Sequence, residues 1–539
     1  MKKNYLLLFI ISLCLNSITQ AQFSWVKQWD HRYGGVDGDY VIAFEKTKHN
    51  GYILAGKTTS DSSGNKLTHM FGTGAFDYWV IKVDSLGLLK WERSYKGSDN
   101  DVLWGLDVTS DGGYIIGGTS DSPIGGDKSQ ASRGGTDYWI IKLDSMGNKV
   151  WDQTYGGADD EDLHSIIQTA DGGYLIGGDS RSGITGDKTE AKFGINDYWV
   201  VKTDALGFKQ WDKVYGGPGY EKYRASVQTV DHGFIHAGQS SSGVGGNKTD
   251  ASQGGIDYWL VKTDSAGTIQ WDSAYGGNGD DNLQTINATV GGGYICGGWS
   301  TSGVSGDKSQ PNHGAYDIWI LRINSVGTIQ WEKTYGGLGL EDEFSCIYQM
   351  SDGGYLLGAT SYSNSGGDKT DNNLGVEQPW ILKVDSVGNK IWDKTVFTLG
   401  HNELGLIKET SERNCYVVVS GENGLIGGDK SEDAWGGFSS DYWIVKYCKG
   451  EILETEELTI QKEDLLVYPS PFSDELTIHL FGKSNAATAT VVVYDLLGKR
   501  VFSKQFNSET TLSTTSLLKG IYFLEVNVNG KLGRKKIVK

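Results

Sequence analysis

A repeat of about 60 residues that recurs seven times is the feature that most constrains the fold of this chain. Asp-Tyr-Trp or a variant marks each repeat, and a second tryptophan series runs in step with the first. Self-similarity at a fixed period indicates an array of one supersecondary unit. The first series is Trp79, Trp139, Trp199, Trp259, Trp319, Trp380 and Trp443; the second is Trp29, Trp91, Trp151, Trp211, Trp271, Trp331 and Trp392.

Each repeat contains four strand-like segments. In the third repeat these are residues 163–169 (LHSIIQT), 174–178 (YLIGG), 198–203 (YWVVKT) and 208–215 (FKQWDKVY). The segments are short, rich in β-branched and aromatic residues, and bounded by Asp and Gly, which predicts strands and turns rather than helices. The chain has 77 glycines and only 6 prolines, as expected for many strands joined by glycine turns.

Seven four-stranded units of this kind predict an all-β, seven-bladed β-propeller, because radial stacking buries both faces of every sheet. The seventh repeat ends near Tyr447 without its last strand, and a matching segment stands before the first repeat, at residues 23–33 (FSWVKQWDHRY). We therefore expect the N-terminal strand to complete the last blade and close the ring. Both tryptophan series are expected to lie between blades.

The repeats also resemble a known group. The stretches Asp171-Gly-Gly-Tyr174, Asp137 to Leu143 (DYWIIKL) and Tyr155-Gly-Gly157 resemble bacterial propeller repeats of the SBBP type, and Asp144 to Trp151 resembles the turn of quinoprotein-like repeats. The resemblance covers about residues 23–447. It implies a propeller fold and no particular activity, because one fold serves many functions.

Four segments are predicted along the chain. Residues 1–21 have a basic start, a short apolar run and a small residue at the cut, which predicts a signal peptide. Residues 22–449 form the propeller, and residues 450–464 form an acidic linker. Residues 465–539 contain short alternating strands (LLVYP, ELTIHL, TVVVYD, KRVFSKQF, GIYFLEV and KLGRKKIVK), which predict a small β-sandwich.

The last segment resembles the type A sorting domain of type IX secretion. The resemblance depends on three short motifs, whose marker residues are Tyr468, Pro469, Pro471, Gly498, Gly520 and Tyr522. One departure is Ser470, where the family usually has Asn. The resemblance implies that the type IX secretion machinery handles the chain through residues 465–539. It also implies passage through the periplasm to the medium or the outer cell surface.

Composition and motifs restrict the function. The formal charge of −18 disfavours nucleic acid as a partner, and no segment of the mature chain is expected to span a membrane. No catalytic motif is recognisable, and no cofactor is expected. We therefore expect a secreted or cell-surface binding or adhesion scaffold with an unidentified protein or glycan partner. The alternative is a polysaccharide-acting enzyme, a glycosidase or lyase, on a propeller scaffold.

Strand order predicts where the partner binds. The turns within each hairpin of strands one and two, and of strands three and four, are tight and share one face of the disc. The other face, here called the long-loop face, carries the Tyr-Gly-Gly loops and the glycine-rich loops with Asp-Lys or Asn-Lys pairs. Loops on a rigid scaffold commonly carry function, so the long-loop face is the expected binding face.

Two charged features recur on the long-loop face. The acidic loops at 159–162, 280–281 and 341–343 are candidates for calcium, although solvated caps of strand ends are the plainer interpretation. The Asp-Lys pairs, such as Asp187-Lys188, are expected to join neighbouring blades by hydrogen bonds and ion pairs.

A disulfide is predicted between Cys415 and Cys448. Alignment of the repeats places Cys415 at the start of the second strand of the seventh blade and Cys448 just after the end of the third. These strands are antiparallel neighbours, so the two positions lie side by side, within reach of a bridge.

Overall fold

We describe the protein from a computed structural model. Its described residues are 23–69, 75–339, 344–437, 439–451, 465–469, 471–480, 489–495, 499–528 and 531–539. The predicted signal peptide and residues 452–464 of the predicted linker lie outside these ranges. All regular structure in the described residues is β, in 35 strands, and no helix long and apolar enough to span a membrane occurs there.

Seven antiparallel sheets of four strands each occupy the repeats, and we number them as blades one to seven. Blade one contains β2 (Asp39–Lys46), β3 (Tyr52–Thr58), β4 (Asp77–Val83) and β5 (Leu89–Tyr95); blade two β6 (Asp101–Val108), β7 (Tyr114–Ser120), β8 (Asp137–Leu143) and β9 (Lys149–Tyr155); blade three β10 (Glu161–Gln168), β11 (Tyr174–Ser180), β12 (Asp197–Thr203) and β13 (Lys209–Tyr215); blade four β14 (Glu221–Gln228), β15 (Phe234–Ser240), β16 (Asp257–Thr263) and β17 (Ile269–Tyr275).

The remaining blades follow the same strand order. Blade five contains β18 (Asp281–Ala288), β19 (Tyr294–Ser300), β20 (Asp317–Ile323) and β21 (Ile329–Tyr335); blade six β22 (Cys346–Gln349), β23 (Tyr355–Ser361), β24 (Gln378–Val384) and β25 (Lys390–Thr395); blade seven β26 (Asn402–Glu409), β27 (Cys415–Glu422), β28 (Asp441–Glu451) and, as its outer strand, β1 (Phe23–Tyr33).

The blades form a closed ring. The first strands of consecutive blades contact each other, and β2 of blade one contacts β26 and β27 of blade seven. Only strands around a common axis can meet in this way, so the first strands line a central channel. The pairing of β1 with β28 confirms the predicted closure by the N-terminal strand.

The first tryptophan series forms the core between blades. All seven indoles are fully buried, and each Nε1 donates to an acidic side chain on the neighbouring outer strand at 2.8–3.2 Å. In blade seven the donor is Trp443 and the acceptor is Asp30 on β1, so the N-terminal strand repeats the bond that the chain makes within every other blade. Burial of each ring contributes at most roughly 4–6 kcal/mol.

The second tryptophan series packs differently. Most of these rings are half-buried, and six of the seven lie against the turn between the last two strands of the next blade. The seventh, Trp392, packs on Trp25 and Tyr416 of blade seven, where no turn joins the last two strands. A side chain on Gly147 would come within 2.9 Å of the Trp91 ring, and Gly147 has φ of 78°. Glycine is therefore required at this turn for two reasons. The second series therefore also lies between blades, at the edge of the core, where Trp91 contacts Tyr114 and Trp151 contacts Tyr174 of the next blade.

Residues Trp25–Lys449 form one compact unit, and Gly450–Lys539 belong to another. In the second unit β29 (Leu465–Tyr468), β30 (Glu475–Leu480) and β33 (Glu509–Ser513) form one sheet. A second sheet has the order β32 (Arg500–Phe506), β31 (Ala489–Tyr494), β34 (Ile521–Val528) and β35 (Lys531–Val538). Apolar residues of both sheets share one core, as in a sandwich.

Candidate ligand-binding site at the mouth of the central channel

Extra residues interrupt the first strand near its start in blades one to five and in blade seven. In blades one to five the register with the second strand shifts after the third residue, which leaves one bulged residue without a partner. In blade seven two residues are left over, and the first of them, Leu404, has φ of 64°. A bulge re-aims a side chain and bends its strand. Here the bulges form a ring around the channel.

The residues of this ring differ from blade to blade. In chain order they are Ile42, Trp104, His164, Arg224 and Gln284, followed by Ser345 before β22 and by Leu404–Gly405 in β26. The apolar residue before each bulge, such as Val41 or Leu163, recurs, whereas the next-to-last residue of the second strand, such as Lys57 or Asp179, varies as the bulged residue does. A position that serves the blade should recur, so a ring that does not recur is free to serve something else.

A cavity of about 540 Å³ occupies the channel beside this ring. It lies toward the long-loop face, because its wall includes Tyr40 and Lys57, which pair with each other at the long-loop ends of β2 and β3. Its size is that of pockets that hold small ligands. The full lining is Tyr40, Val41, Ile42, Lys57, Phe76, Trp104, Arg224, Gln284, Phe344, Glu403 and Leu404.

One side of the cavity combines aromatic rings with a lysine. The Lys57 ammonium lies 4.6 Å from the Phe76 ring centre, 5.4 Å from Tyr40 and 5.9 Å from Trp104. Burial lowers the pKa of Lys57, and the exposed carboxylate of Glu403 opposes that shift. Burial also raises the pKa of Tyr40, and Glu403 adds to this shift. Burial therefore removes part of the water around the Lys57 ammonium and disfavours its charged form, which the nearby carboxylate favours.

A hydrogen-bonded chain of side chains continues the ring through blades three and four. His164 Nε2 lies 3.3 Å from Asp179 Oδ2, and both side chains are largely buried. The other oxygen of Asp179 accepts from the backbone N–H of Tyr223 in blade four. Burial raises the pKa of the neighbouring Asp162, against the effect of His164. This part of the ring is internally paired, whereas the Lys57 side faces the cavity.

The acidic loops predicted as calcium candidates act as caps where the structure describes them. Glu161 Oε2 accepts from the backbone N–H of Gly157 at 2.6 Å, and Asp281 Oδ2 accepts from Gly277 at 2.7 Å. Asp160 forms an ion pair with Arg181 at 2.8 Å. The third loop, residues 341–343, lies outside the described residues. Calcium binding in these loops stays a prediction.

The two residues of an Asp-Lys pair contact different blades. Asp187 exchanges hydrogen bonds with the backbone of Gly156 in the preceding blade and pairs with Arg133 at 2.9 Å. Lys188 is buried and donates instead within its own blade, to Ser180 and Ser182. Only the aspartate therefore joins neighbouring blades.

The structure links Cys415 to Cys448 by a disulfide with Cα atoms 4.0 Å apart, and the two residues face each other in the ladder between β27 and β28. The described residues contain one group with the spacing of three metal ligands, Glu412 with these two cysteines, and the bridge already occupies both sulfurs. Cys296 and Cys346 are buried free thiols.

The predicted sorting-motif residues lie in the second unit. Tyr468 ends β29 and is followed by Pro469 and, two positions later, Pro471. Gly520 exchanges two backbone hydrogen bonds with the C-terminal Lys539. Tyr522 is buried and its hydroxyl donates to the carbonyl of Leu518 at 2.8 Å. Gly498 lies outside the described residues.

Two curated proteins match parts of the chain. An endo-acting ulvan lyase of Formosa agariphila is 28% identical over 162 residues, which is 29% of this chain and 28% of the lyase. The regulatory protein FlaEY of Caulobacter vibrioides is 26% identical over 140 residues, 25% of this chain and 15% of FlaEY. The chain therefore spans less than a third of the length of either relative.

Solved structures match more of the chain at lower identity. A Dyadobacter fermentans protein of unknown function is 10% identical, with a TM-score of 0.37, and covers 79% of this chain and 99% of its own. The polysaccharide lyase Uly1 is 9% identical, with a TM-score of 0.39, and covers 77% of this chain and 90% of its own. The resemblance of the repeats to SBBP-type and quinoprotein-like propellers is not confirmed by these matches.

The C-terminal unit has a clear family match. Residues 466–539 match the family described as the secretion system C-terminal sorting domain. The match covers β29 to β35, including the motif around Tyr468 and the basic last strand. Residues 466–539 are therefore a secretion system C-terminal sorting domain, which points to a secreted or cell-surface protein handled by the type IX secretion machinery.

Proposed function

We propose that this protein is a secreted or cell-surface binding scaffold whose ligand, a glycan, sits in the long-loop mouth of the central channel. The observation that carries the proposal is the ring of bulged residues around the channel, because these positions carry a different side chain in each of blades one to five. The fold does not need this variation, so a ligand is its simplest explanation.

The chemistry of the lining supports a saccharide. Sugars present apolar C–H faces together with hydroxyl groups, and the mouth presents half-buried rings of Tyr40 and Trp104 beside polar Gln284 and Arg224. Sites of this kind combine an apolar wall with a few placed polar groups. The sorting domain supports the same conclusion, because an exported protein meets polysaccharides outside the cell.

A polysaccharide array tests the proposal. We expect the mature protein to bind at least one polysaccharide, and Trp104→Ala to weaken that binding by about tenfold or more, since stacked aromatic contacts are worth about 1 kcal/mol or more beyond buried area. Phe208→Ala is the matched control, because Phe208 is exposed on the tight-turn face.

Two results would contradict the binding scaffold. Equal binding by Trp104→Ala and the unaltered protein would exclude the channel mouth as the site. Release of shortened products from a bound polysaccharide would favour the alternative, a polysaccharide-acting enzyme, which the partial match to an ulvan lyase brings into consideration.

A further inference from the structure

At the position of Lys57, side chains of other blades form hydrogen bonds with the protein itself. The equivalent residues Thr119 and Gln239 bond to the first strand of the next blade, Thr119 by accepting from Leu163 N at 3.2 Å and Gln239 by donating to Leu283 O at 3.1 Å. Asp179 likewise accepts from the backbone of the next blade. Among the described residues, Lys57 makes no hydrogen bond or ion pair. Lys57 therefore differs from the residues that hold this position in blades two, three and four.

The surroundings of Lys57 leave one direction for a partner. Three aromatic rings lie within 5.9 Å of its ammonium. They attract the charge through cation–π interactions, but the ring faces accept no ordinary hydrogen bond from its N–H groups. A poorly hydrated cation with unused N–H donors is costly to keep unless an anion or acceptor joins it. The remaining side of the ammonium faces the cavity.

A second cation lies on the same cavity wall. Arg224 reaches the lining from blade four, and the one acidic side chain in the lining, Glu403, is exposed to solvent at the rim. The whole chain carries a formal charge of −18. At physiological salt that overall charge is screened beyond about 8 Å, so a group bound in the cavity experiences mainly the charges of the lining, which are Lys57, Arg224 and Glu403.

We infer that the channel mouth binds an acidic saccharide, with Lys57 as the donor to its carboxylate or sulfate group. This inference rests on the proposed function and names its ligand class. A charge-assisted bond from an ammonium to either anion is the contact that the unpaired lysine lacks. The rings around it would contact the apolar face of the sugar that carries the acid.

Three matched polymers test the inference: dextran, carboxymethyl dextran and dextran sulfate, immobilised at equal density and measured at 0.15 M salt. We expect at least one charged polymer to bind more tightly than dextran. Lys57→Met keeps an apolar stem between the rings and removes the charge, and it should weaken that binding by about tenfold or more, since a hydrogen bond to a charged group is worth about 1.5–3 kcal/mol.

The control is Lys48→Met, because Lys48 is an exposed lysine of the same blade at the tight turn after β2. It should leave binding unchanged, and the preferred charged polymer shows whether carboxylate or sulfate is the natural group. Equal binding of dextran and its derivatives, or undiminished binding by folded Lys57→Met, would overturn the inference. If Trp104→Ala then still weakens binding, the proposed glycan site stands without its acidic specificity. If Trp104→Ala does not weaken binding, both the proposed glycan site and its acidic specificity are excluded.

Discussion

The junction that closes the ring holds two buried carboxylates. Asp441 begins β28 of blade seven and Asp39 begins β2 of blade one, and both are fully buried. A methyl group added to Gly34 would touch Asp441 Oδ1 and Asp39 Oδ2 at once, so the two acids face the same small space. Oδ1 of each acid accepts no hydrogen bond from the described residues. Two ionised carboxylates in this space repel each other, so the folded protein disfavours the state in which both are charged.

Burial raises the pKa of Asp441 to about 7, and Asp39 raises it further by repulsion, while hydrogen bonding from Trp435 and the Arg32 charge oppose the shift. The pKa of Asp39 is raised to about 6, again mainly by burial. The folded state therefore holds a proton that the unfolded chain releases above pH 4. Stability is fully present below that pH and is lost as the pH rises through about 7.

Asp441→Asn should remove this loss. A carboxyl whose pKa is about 7 when folded and 3.8 when unfolded costs the folded state at most about 4 kcal/mol by pH 8, at about 1.36 kcal/mol for each pKa unit. Only the part of this cost that falls between pH 5 and the folded pKa of about 7, roughly two pKa units, is added between pH 5 and pH 8. The asparagine variant should therefore gain up to about 3 kcal/mol relative to the unaltered protein over that range. Its amide also suits the site, because it can still accept from Trp435 and can donate toward Asp39.

The molecule contains its own control. At the junction of blades six and seven, Gln378 and Asn402 hold the same two strand positions, and their amides bond to Thr398. These two amides do not titrate, although Glu422 and the His401–Glu377 pair lie at the same junction. The double variant Gln378→Asp/Asn402→Asp should therefore add a pH dependence to that of the unaltered protein.

The measurement is equilibrium urea unfolding of the oxidised protein at pH 5 and pH 8, compared between variants because other junctions also titrate. A free-energy difference between Asp441→Asn and the unaltered protein that is the same at both pH values would refute the reasoning. So would a variant that becomes relatively less stable at pH 8.

Four further predictions follow from other parts of the molecule. Deleting residues 23–33 should lower the melting temperature markedly in a thermal scan, because it exposes the edge of β28 and removes the acceptor of the Trp443 indole; an unchanged midpoint would show that the ring closes without β1. Burial lowers the pKa of His236 to about 3, so its contribution to stability is lost as the pH falls below about 6.5. The double variant Tyr223→Leu/His236→Ile, with the residue types of blade three, should lose less free energy of unfolding from pH 6.5 to pH 4.5 than the unaltered protein, and an equal slope would contradict the assignment. Cys415→Ser should cost roughly 3–4 kcal/mol in urea unfolding under non-reducing conditions, the value expected for a bridge spanning 33 residues; no difference between reduced and oxidised protein would argue against the bridge. Removing residues 465–539 should leave a folded propeller in the periplasm, and its normal appearance in the medium, followed by fractionation and immunoblotting, would exclude the sorting role.

The repeat determines most of the fold, and the repeat is directly visible in the sequence. Segments such as 163–169 and 174–178 lie within two residues of the observed β10 and β11, because their hydrophobic and turn residues recur and confirm one another across blades. The sandwich has no such redundancy. Its strand β33 escaped prediction because the threonine-rich segment ETTLS has one large apolar residue and no turn signal to delimit it.

The sequence predicted the face of the propeller that carries the candidate site, but not the residues that form it. Trp104, His164 and Arg224 each read as ordinary members of a strand, and a bulge cannot be recognised from one strand alone. A usable signal was nevertheless present. When the first strands are aligned, the fourth position changes residue type in each of blades one to five, while the third position holds a large apolar or aromatic residue in all five.

The bulge explains how a rigid ring tolerates that variation. Residues before and after it, such as Leu163 and Ile166, point into the packed space between blades and are fully or almost fully buried, so their volume is fixed by both neighbours. The bulged residue between them, His164, has no ladder partner. Its side chain contacts Asp179 and Trp104 beside the channel and does not fill the packed space between blades. Substitution there alters the mouth with little cost to the core. A sevenfold scaffold can thus present a surface without symmetry, which a ligand without symmetry requires.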